Sequence, residues 1–370
     1  MSSPVATRSR PTSSAKSVLS SLSLFGRATN VWRVRKYLLD DPFVDGDVLV
    51  LKTARRSSER TPKSDIYLSI EPPYLACLTG FICGGDARFP EPARFPITVQ
   101  NLRNANPQPL PDNDHDPTPV LRRLFLGTLG RPMWEYQSDR DLFTGFRDAL
   151  QAHRNLCDQG ILHRDISAGN ILLAEAENAP VRGFFCDLDF ALVQSPTETT
   201  SRNHTESEST PTFKRGAGAT GTTQFMAREL LNPAQPITHQ VTHDVQSFIW
   251  VLSYSVILNL HLRASHPSAP PDAHWQAQRK RLHRLFLRAF FQIDPDEIAY
   301  ERTALSRCLA FPRTEMYGVD RIVAHFMSDA LVGLFLAFQI LLQGDERFVN
   351  PVPLTHDAVI GVVEDAIASL

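Results

Sequence analysis

The chain has 370 residues, a length that allows about two domains at roughly 150 residues per domain. Its 38 basic and 40 acidic side chains give a net charge of −2. This balance argues against nucleic acid as a partner, because nucleic-acid-binding proteins usually carry a basic excess. The five cysteines form no CxxC pair and indicate neither a zinc site nor a disulfide framework, and no run reaches the roughly 18 apolar residues of a membrane span.

The amino-terminal residues 1–22 are predicted to be a disordered tail. They are rich in serine, and seven Lys and Arg residues precede the first acidic residue, Asp40. Disordered tails and mitochondrial transit peptides share this composition. We expect a cytoplasmic or nuclear location, with mitochondrial targeting as the alternative.

The next part of the chain has the pattern of a small sheet. Apolar and β-branched runs predict strands at 31–36, 48–51 and 122–126. A short helix is predicted at 61–70, where Pro62 takes the first helical position. Residues 84–119 contain eight prolines and are predicted to be a long irregular loop. The stretch 127–132 is predicted to be a bend between two halves of the molecule.

The second half has mostly helical patterns. Apolar residues at three- and four-residue spacing predict an amphipathic helix over 142–156 that ends at Gly160, a residue suited to a left-handed cap. Further helices are predicted around 243–262, 275–292 and 320–342. Strands followed by helices indicate an α+β fold, with a β-rich part at 23–126 and a mainly helical part at 127–370.

The first motif that carries chemistry follows the helix that ends at Gly160. His163, Arg164 and Asp165 stand after an apolar pair, and Asn170 comes five residues after the aspartate. This pattern resembles the protein kinase catalytic loop, in which the aspartate accepts the proton of an attacking hydroxyl and the asparagine binds Mg²⁺. We predict Asp165 and Asn170 as catalytic, Asn170 also as a metal ligand, and His163 and Arg164 as structural or regulatory residues. An exposed loop with a helix cap is the alternative.

The second motif is Asp187-Leu188-Asp189, which follows an apolar strand. It resembles the kinase DFG segment, whose aspartate binds Mg²⁺ between the β and γ phosphates of ATP. Asp187 is therefore predicted to bind both cofactor and metal. Asp189 stands where the kinase pattern has glycine, and we predict that it either binds a second metal ion or caps the following turn.

Two further segments follow in the order that protein kinases have. Ala227-Arg228-Glu229 stands at the place of the Ala-Pro-Glu sequence that ends the activation segment. Glu229 is therefore expected to be structural and to form an ion pair with an arginine of the helical part. Asp244, after His243, resembles the aspartate of the central helix that accepts a hydrogen bond from the catalytic-loop backbone, with helix N-capping as the alternative.

Together these motifs resemble the fungal-type protein kinase family. The resemblance rests on LHRDIS-GNI, DLDFA, GT-QFMA-ELL and HD--SF-WVL, and on the Arg-Asp-Ala-Leu-Gln-Ala-His stretch at 147–153. It implies a two-lobed protein-kinase-like fold, with a small β-rich N-lobe and a larger, mainly helical C-lobe. It also implies ATP and Mg²⁺ as cofactors.

The amino half matches the kinase pattern less closely. Lys52 follows an apolar strand, as the phosphate-binding lysine of kinases does, and Asp65 is the best-placed acid to pair with it on the next helix. An exposed strand-end lysine is the alternative. Gly26 and Val31 are the residues of a glycine-rich loop that remain, and both are predicted to contact the cofactor. Fewer glycines allow fewer close backbone approaches to phosphate.

Other positions bear on turnover and regulation. Ser167 stands where conventional serine/threonine kinases have a lysine that contacts the γ phosphate, so the catalytic rate is in question. Arg164 beside the catalytic aspartate lets many kinases sense an activation-loop phosphate. Thr212 and Thr220 are the candidate acceptors, with a merely flexible loop as the alternative.

We therefore expect an ATP- and Mg²⁺-dependent phosphotransferase, a protein kinase that acts on Ser or Thr hydroxyls of a protein substrate. One alternative is a pseudokinase scaffold that binds nucleotide weakly or not at all. Another is a small-molecule kinase of the choline or aminoglycoside type, to which Asp187-x-Asp189 is similar, although such enzymes lack the segment 221–231. Neither nucleic acid nor a membrane is expected as a partner, and the sequence does not predict the oligomeric state.

Overall fold

The computed structural model divides the chain into two compact units. Unit 1 comprises Met1–Ser69 and Thr79–Leu129, and unit 2 comprises Ile70–Leu78 and Gly130–Leu370. The structure describes residues 16–20, 29–35, 48–56, 63–71, 78–91, 94–103, 119–176, 179–193, 222–231, 237–270, 272–311, 318–343 and 353–370.

Unit 1 contains a five-stranded antiparallel sheet of strand order β1-β2-β3-β5-β4 and two short helices. Its elements are β1 (Lys16–Ser20), β2 (Asn30–Arg35), β3 (Val48–Arg56), α1 (Lys63–Ser69), β4 (Phe81–Asp86), α2 (Val99–Arg103) and β5 (Val120–Leu126). Alternate residues of β5 are buried, as expected for a strand with one face toward a core. Tyr67 of α1 stacks on Phe81 of β4, with 5.3 Å between the ring centroids, so α1 packs against this strand.

The sheet differs from the sequence prediction at three places. Lys16–Ser20, within the segment predicted as a disordered tail, forms β1 and pairs with β2. β3 continues past its apolar run to Arg56, because its backbone pairs with β5 over that whole polar stretch. The predicted irregular loop 84–119 contains the end of β4, α2, and the bridges Arg88↔Pro96 and Thr98↔Val120. Prolines do not prevent these bridges because other residues of the segment supply the N–H donors, as in Ile97 N–H to Ala87 carbonyl at 2.7 Å.

Unit 2 is mainly helical and contains two small antiparallel sheets, β6-β8-β9 and β7-β10. Its strands are β6 (Gly130–Pro132), β7 (Ile161–Leu162), β8 (Ile171–Ala174), β9 (Gly183–Phe185) and β10 (Leu192–Val193). Its helices are α3 (Asp139–Asp158), α4 (Val241–Ala264), α5 (Ala273–Phe290), α6 (Pro295–Ala310), α7 (Asp320–Phe326), α8 (Asp329–Gln343) and α9 (His356–Ala368). Short 3-10 turns are present at Met133–Glu135, Thr223–Phe225 and Arg228–Leu231.

The long predicted helix is confirmed as α3. The Ser138 hydroxyl caps its start by accepting the Asp141 N–H at 3.1 Å, and Gly160 follows its end with a φ of +73°. Helices α6 and α9 are not among the predicted helices, although the sequence contains a start signal for each. Asp294 caps α6 ahead of Pro295, and the Thr355 hydroxyl caps α9. The mixed α/β class with a mainly helical second part is thus confirmed, whereas the kinase-like two-lobed arrangement stays a prediction.

Helix α4 is the central apolar helix of unit 2. By length and composition α4 could cross a membrane, as could α7 and α8 if the pair, bent by 116°, formed one span. However, 72% of the apolar window of α4 is buried inside the structure, and core helices of soluble proteins meet the same criteria. Its buried residues instead include the groups that organise the candidate site.

A pair of glycines brings α3 against β9. A Cβ built on Gly183 of β9 would overlap the backbone carbonyl of Gly145 in α3, and a Cβ on Gly145 would overlap the Leu173 side chain. Backbone atoms cannot move aside as a flexible side chain can. The helix therefore packs directly on the backbone of the strand that leads to Asp187.

We predict that Gly183→Ala destabilises unit 2 by about 1–3 kcal/mol, the usual cost of overpacking a core. Urea denaturation followed by circular dichroism measures this difference. Gly333→Ala in α8 is the matched control, because a Cβ there meets nothing within 4 Å. We expect that variant to gain roughly 0.5–1 kcal/mol. An equal free energy of unfolding for wild type and Gly183→Ala would show that α3 and β9 can move apart without a loss of stability.

Candidate active site

The predicted catalytic loop, residues 163–170, lies between β7 and β8. Asp165 and Asn170 are both buried. The Nδ2 of Asn170 donates to the Asp165 carbonyl oxygen at 2.8 Å and lies 3.4 Å from Oδ2 of the Asp165 carboxylate. The five-residue spacing thus closes the loop on itself and brings the two predicted catalytic side chains together.

The Asp165 carboxylate has a second partner, Thr222, which the sequence analysis does not name. The Thr222 N–H donates to Oδ1 of Asp165 at 3.0 Å, and its hydroxyl donates to the same oxygen at 3.3 Å. Two donors on one oxygen restrict the rotation of the carboxylate. Thr222 follows Gly221 in the segment 221–231, so the hydroxyl residue next to that glycine was the signal that the sequence offered.

Asp187 is placed next to this loop by strand pairing. Phe185 of β9 lies opposite Ile171 of β8, and the Cys186 N–H donates to the Asn170 carbonyl at 2.9 Å. Asp187 has a φ of 70°, in the left-handed region that costs a residue other than glycine on the order of 1–3 kcal/mol. Strained backbone of this kind persists where the surrounding structure enforces it, and it is concentrated at functional sites.

Asp189 follows in a turn that the Ala191 N–H closes on the Leu188 carbonyl at 3.2 Å. Among the described residues, the non-glycine positions with positive φ are Arg94, Arg164 and Asp187. Asp189 therefore adopts a conformation that does not require the glycine of the kinase pattern. Metal binding and turn capping both stay predictions for this side chain.

The donor set around the loop fits Mg²⁺. Asn170, Asp187 and Asp189 offer amide and carboxylate oxygens, the ligands that this hard cation prefers. Because Nδ2 of Asn170 donates to Asp165, Oδ1 is the atom of this amide that is left to bind a metal ion.

Asp244 is fully buried and accepts hydrogen bonds from two histidines and one backbone amide. Its Oδ2 accepts the Arg164 N–H at 3.0 Å and lies 3.0 Å from Nε2 of His153, and its Oδ1 lies 2.7 Å from Nε2 of His239. The Arg164 contact is the one that the kinase resemblance implies. The alternative of N-capping is wrong, because Gln240 is the cap of α4 and forms a capping box with His243.

The charges around Asp244 compensate each other. Burial alone would raise the pKa of Asp244, but the hydrogen bonds and charges of His153 and His239 hold it well below its ordinary value of 3.8. Burial alone would lower the pKa of His153, but its hydrogen bonds to Asp244 and Cys157, and their charges, raise it from 6.5 to about 10. Asp244 is therefore a carboxylate at neutral pH, and His153 is its buried cation.

His163 is a buried neutral member of the loop. Burial lowers its pKa below the ordinary value of 6.5. Its Nδ1 accepts the Asp165 N–H at 3.3 Å, which leaves Nε2 as the donor to the Cys186 carbonyl at 3.4 Å. Its ring packs edge-on against Phe185, with 5.0 Å between the centroids. His163 thus links the catalytic loop to the backbone just before Asp187.

The partner predicted for Glu229 is wrong. Glu229 is 71% exposed, and its Oε2 lies 2.9 Å from Nε2 of His243. Arg302 of α6 binds the backbone of this segment instead: its buried guanidinium donates to the Met226 carbonyl at 2.7 Å and lies over the Trp250 ring. Burial lowers the pKa of Arg302 to about 9. Among the described residues, carbonyl oxygens rather than the Glu229 carboxylate accept from the Arg302 guanidinium.

Candidates in unit 1 lie on or beside its sheet. Val31 of β2 and Lys52 of β3 are directly opposite each other in the antiparallel register. Opposite residues of such a pair present their side chains on the same face, so these two predicted cofactor contacts share a face. Asp65 is exposed on α1, where the Ser64 hydroxyl donates to its carboxylate at 3.2 Å.

The remaining predicted positions Gly26, Thr212 and Thr220 lie outside the described residues. Ser167 is buried, and its carbonyl accepts the Asn170 N–H at 3.0 Å. Its backbone thus helps to form the turn that presents Asn170.

Comparison with known proteins identifies one family. The model of the fungal protein kinase family matches residues 89–256, a range that contains the catalytic loop, Asp187, Thr222 and Asp244. The resemblance read from the motifs is thereby confirmed. A search of curated proteins gives no match for the chain.

We predict that the free energy of unfolding falls as the pH rises from 6.5 to 10. The pKa of His153 is raised from 6.5 to about 10 by folding, so the folded state holds a proton that the unfolded state loses over this range. The contribution of this His153 proton to the free energy of unfolding is complete below pH 6.5 and is lost as the pH rises to about 10. It amounts to a few kcal/mol at roughly 1.4 kcal/mol per pKa unit.

Urea titrations at a series of pH values measure this dependence. In His153→Gln we expect a shallower decline, because the amide does not titrate. His266→Gln, the same change at an exposed histidine, is the control and should keep the wild-type slope. Parallel wild-type and His153→Gln curves would contradict the assignment of the buried cation to His153.

Proposed function

We propose that this chain, which belongs over residues 89–256 to the fungal protein kinase family, is an ATP- and Mg²⁺-dependent protein kinase that phosphorylates Ser or Thr hydroxyls. The observation that carries the proposal is the joint placement of Asp165, Asn170 and Asp187. The first two meet within one loop, and the third follows Cys186, whose N–H donates to the Asn170 carbonyl. These are the side-chain types that phosphoryl transfer requires.

In this proposal Asp165 would orient the attacking hydroxyl and accept its proton as the new oxygen–phosphorus bond forms, while the bond from the γ phosphorus to the bridging oxygen breaks and ADP leaves. Its Oδ1 is held by the two donors of Thr222, and Asn170 lies near its Oδ2. The backbone amides of Arg164 and Asp165 are held by Asp244 and His163, respectively. The carboxylate is therefore oriented before a substrate arrives, which lowers the reorganisation needed during transfer.

Asn170 and Asp187 would hold Mg²⁺, with Asp189 as a further candidate ligand. The ion supplies positive charge that offsets the negative charge of the triphosphate. The strained backbone of Asp187 supports this role, because a scaffold without turnover has no need to hold a carboxylate at a φ of 70°. Lys52, Val31 and Gly26 are proposed to contact the nucleotide, with Asp65 as the partner of Lys52.

The contact from Thr222 to Asp165 supports a protein acceptor over a small alcohol. It belongs to the segment after Gly221, which small-molecule kinases of the choline type lack. We propose a protein substrate and a cytoplasmic or nuclear location, with mitochondria as the alternative. The proposal involves neither nucleic acid nor a membrane.

We predict that Asp165→Asn lowers phosphoryl transfer about 100- to 10,000-fold, the usual contribution of a positioned general base. The purified chain is incubated with γ-labelled ATP, Mg²⁺ and a panel of proteins and small alcohols, and the label on each acceptor is counted. The variant keeps the shape of the side chain and one acceptor oxygen for Thr222, so nucleotide binding measured by calorimetry should change little.

Asp158→Asn is the matched control, because it makes the same chemical change at an exposed position at the end of α3. It should retain wild-type transfer. Label on protein at an undiminished rate in Asp165→Asn would refute the catalytic assignment. Label on small alcohols alone would move the chain to the small-molecule kinases, and nucleotide binding without transfer would identify a scaffold.

A further inference from the structure

Four groups form a continuous hydrogen-bonded line from α9 to the catalytic loop. Nε2 of His356 lies 2.7 Å from Nδ1 of His153, and Nε2 of His153 lies 3.0 Å from Oδ2 of Asp244. The same oxygen of Asp244 accepts the Arg164 N–H at 3.0 Å. Its two histidines, on α3 and α9, are 203 residues apart in sequence. Its last member, Arg164, directly precedes Asp165.

The direction of each hydrogen bond follows from the charges. Asp244 is an acceptor only, so Nε2 of His153 is its donor. As a cation, His153 also carries a proton on Nδ1, which it donates to His356. Burial, together with the charge of His153, lowers the pKa of His356 to about 3, so that ring is neutral and accepts. His356 is therefore the acceptor for the second N–H of a buried imidazolium.

The residues that surround His153 leave its Nδ1–H group dependent on the His356 acceptor. The ring has no exposed surface and packs against Phe248, at 5.4 Å between centroids, and Phe185, at 6.2 Å. Sγ of Cys157 lies 3.7 Å from Nδ1, and a thiol is a weak acceptor. Without His356, one N–H of the cation would have no strong partner in an apolar surrounding, which is costly.

His153, Cys157 and His356 also form a group that could ligate a metal ion. Two nitrogens bound to tetrahedral zinc at about 2.0–2.1 Å stand roughly 3.3 Å apart. The nitrogens of His153 and His356 are 2.7 Å apart. That separation fits a shared proton and is too short for a shared tetrahedral metal ion.

We infer that His153 is a positioning residue that fixes the catalytic-loop backbone through Asp244, and that α9 maintains this function by supplying His356 as the acceptor. Arg164 has a φ of 66°, so its amide is turned toward Asp244 in a conformation that this hydrogen bond helps to maintain. If Asp244 moves, the backbone that carries Asp165 moves with it. The expected effect on turnover rests on the proposed function. The expected effect on the backbone of the catalytic loop does not depend on it.

The test compares two substitutions of His356. His356→Gln can place an amide oxygen close to the position of Nε2 and keep an acceptor, whereas His356→Leu fills similar space without one. Asp357→Asn is the control, because Asp357 is the next residue of α9 and its exposed carboxylate bonds only to Arg154 among the contacts of the described residues.

Hydrogen–deuterium exchange of peptides covering 161–170 reports on the loop, with a peptide of α5 as internal reference. We expect about tenfold faster exchange in His356→Leu at 161–170 alone, and near wild-type exchange in His356→Gln and Asp357→Asn. In the phosphotransfer assay, kcat should fall about 10- to 100-fold in His356→Leu with KM for ATP unchanged, because small displacements of a catalytic group cost this much. If wild type transfers no phosphate, the proposed function fails, and the exchange result still decides the inference.

Wild-type loop exchange in His356→Leu would overturn the inference. Equal effects of Gln and Leu would also overturn it, because the ring would then act through its shape. One equivalent of zinc in the purified protein, lost in Cys157→Ser, would assign these side chains to a metal ion instead. If His356→Leu does not fold, His356→Asn replaces it, since its shorter amide ends before Nδ1 of His153, and the same outcomes apply.

Discussion

The buried carboxylate of Asp244 is the interaction on which the organisation of unit 2 depends. Moving a carboxylate out of water is costly unless it is paired and hydrogen-bonded. Here one side chain accepts from α3, from the segment before α4 and from the catalytic loop, through His153, His239 and the Arg164 amide. Each donor lies on a different part of the chain. Satisfying this charge therefore brings three elements to one point, and the catalytic loop is one of them.

Arg302 has the corresponding role for the segment that follows Thr222. Its guanidinium is nearly inaccessible to water, yet no carboxylate compensates it among its described contacts; carbonyl oxygens of Gln224, Met226 and Ile298 accept its N–H groups. A guanidinium can be satisfied in this way because it offers five donors in a plane. The backbone that carries Thr222 is thus held from α6, and Thr222 in turn holds the Asp165 carboxylate. The pair of Glu229 and His243 contributes less, because its carboxylate side chain is 71% exposed.

The proximity of Asp165 and Asn170 could be predicted from the sequence because it depends on a short spacing. Asp165 and Asn170 are five residues apart and meet within one loop, and the apolar strand before Asp187 specifies its pairing with β8. The residues that the sequence analysis missed have partners far away in the chain: Thr222 is 57 residues from Asp165, and His356 is 203 from His153. Hydrophobic periodicity places a helix but does not say which histidine of one helix meets which of another. Arg302 shows the same limit, because an arginine on a helix is read as exposed until its burial is known.

Two residues of the site, Arg164 and Asp187, have backbone conformations that are unfavourable for their side chains, and each is stabilised by a different part of unit 2. The conformation at Arg164 is stabilised by Asp244, which is held by α3 and, through His153, by α9. The conformation at Asp187 is stabilised by the β8-β9 pairing and by the close contact of α3 with Gly183. Because α3 takes part in both, a change in the packing of this helix should affect the backbones that carry Asp165 and Asp187 together. Residues that hold these two backbones lie on α3, α4 and α9, outside the catalytic loop and the Asp187 motif. A motif of a few residues therefore needs a helical unit of this size to adopt its geometry.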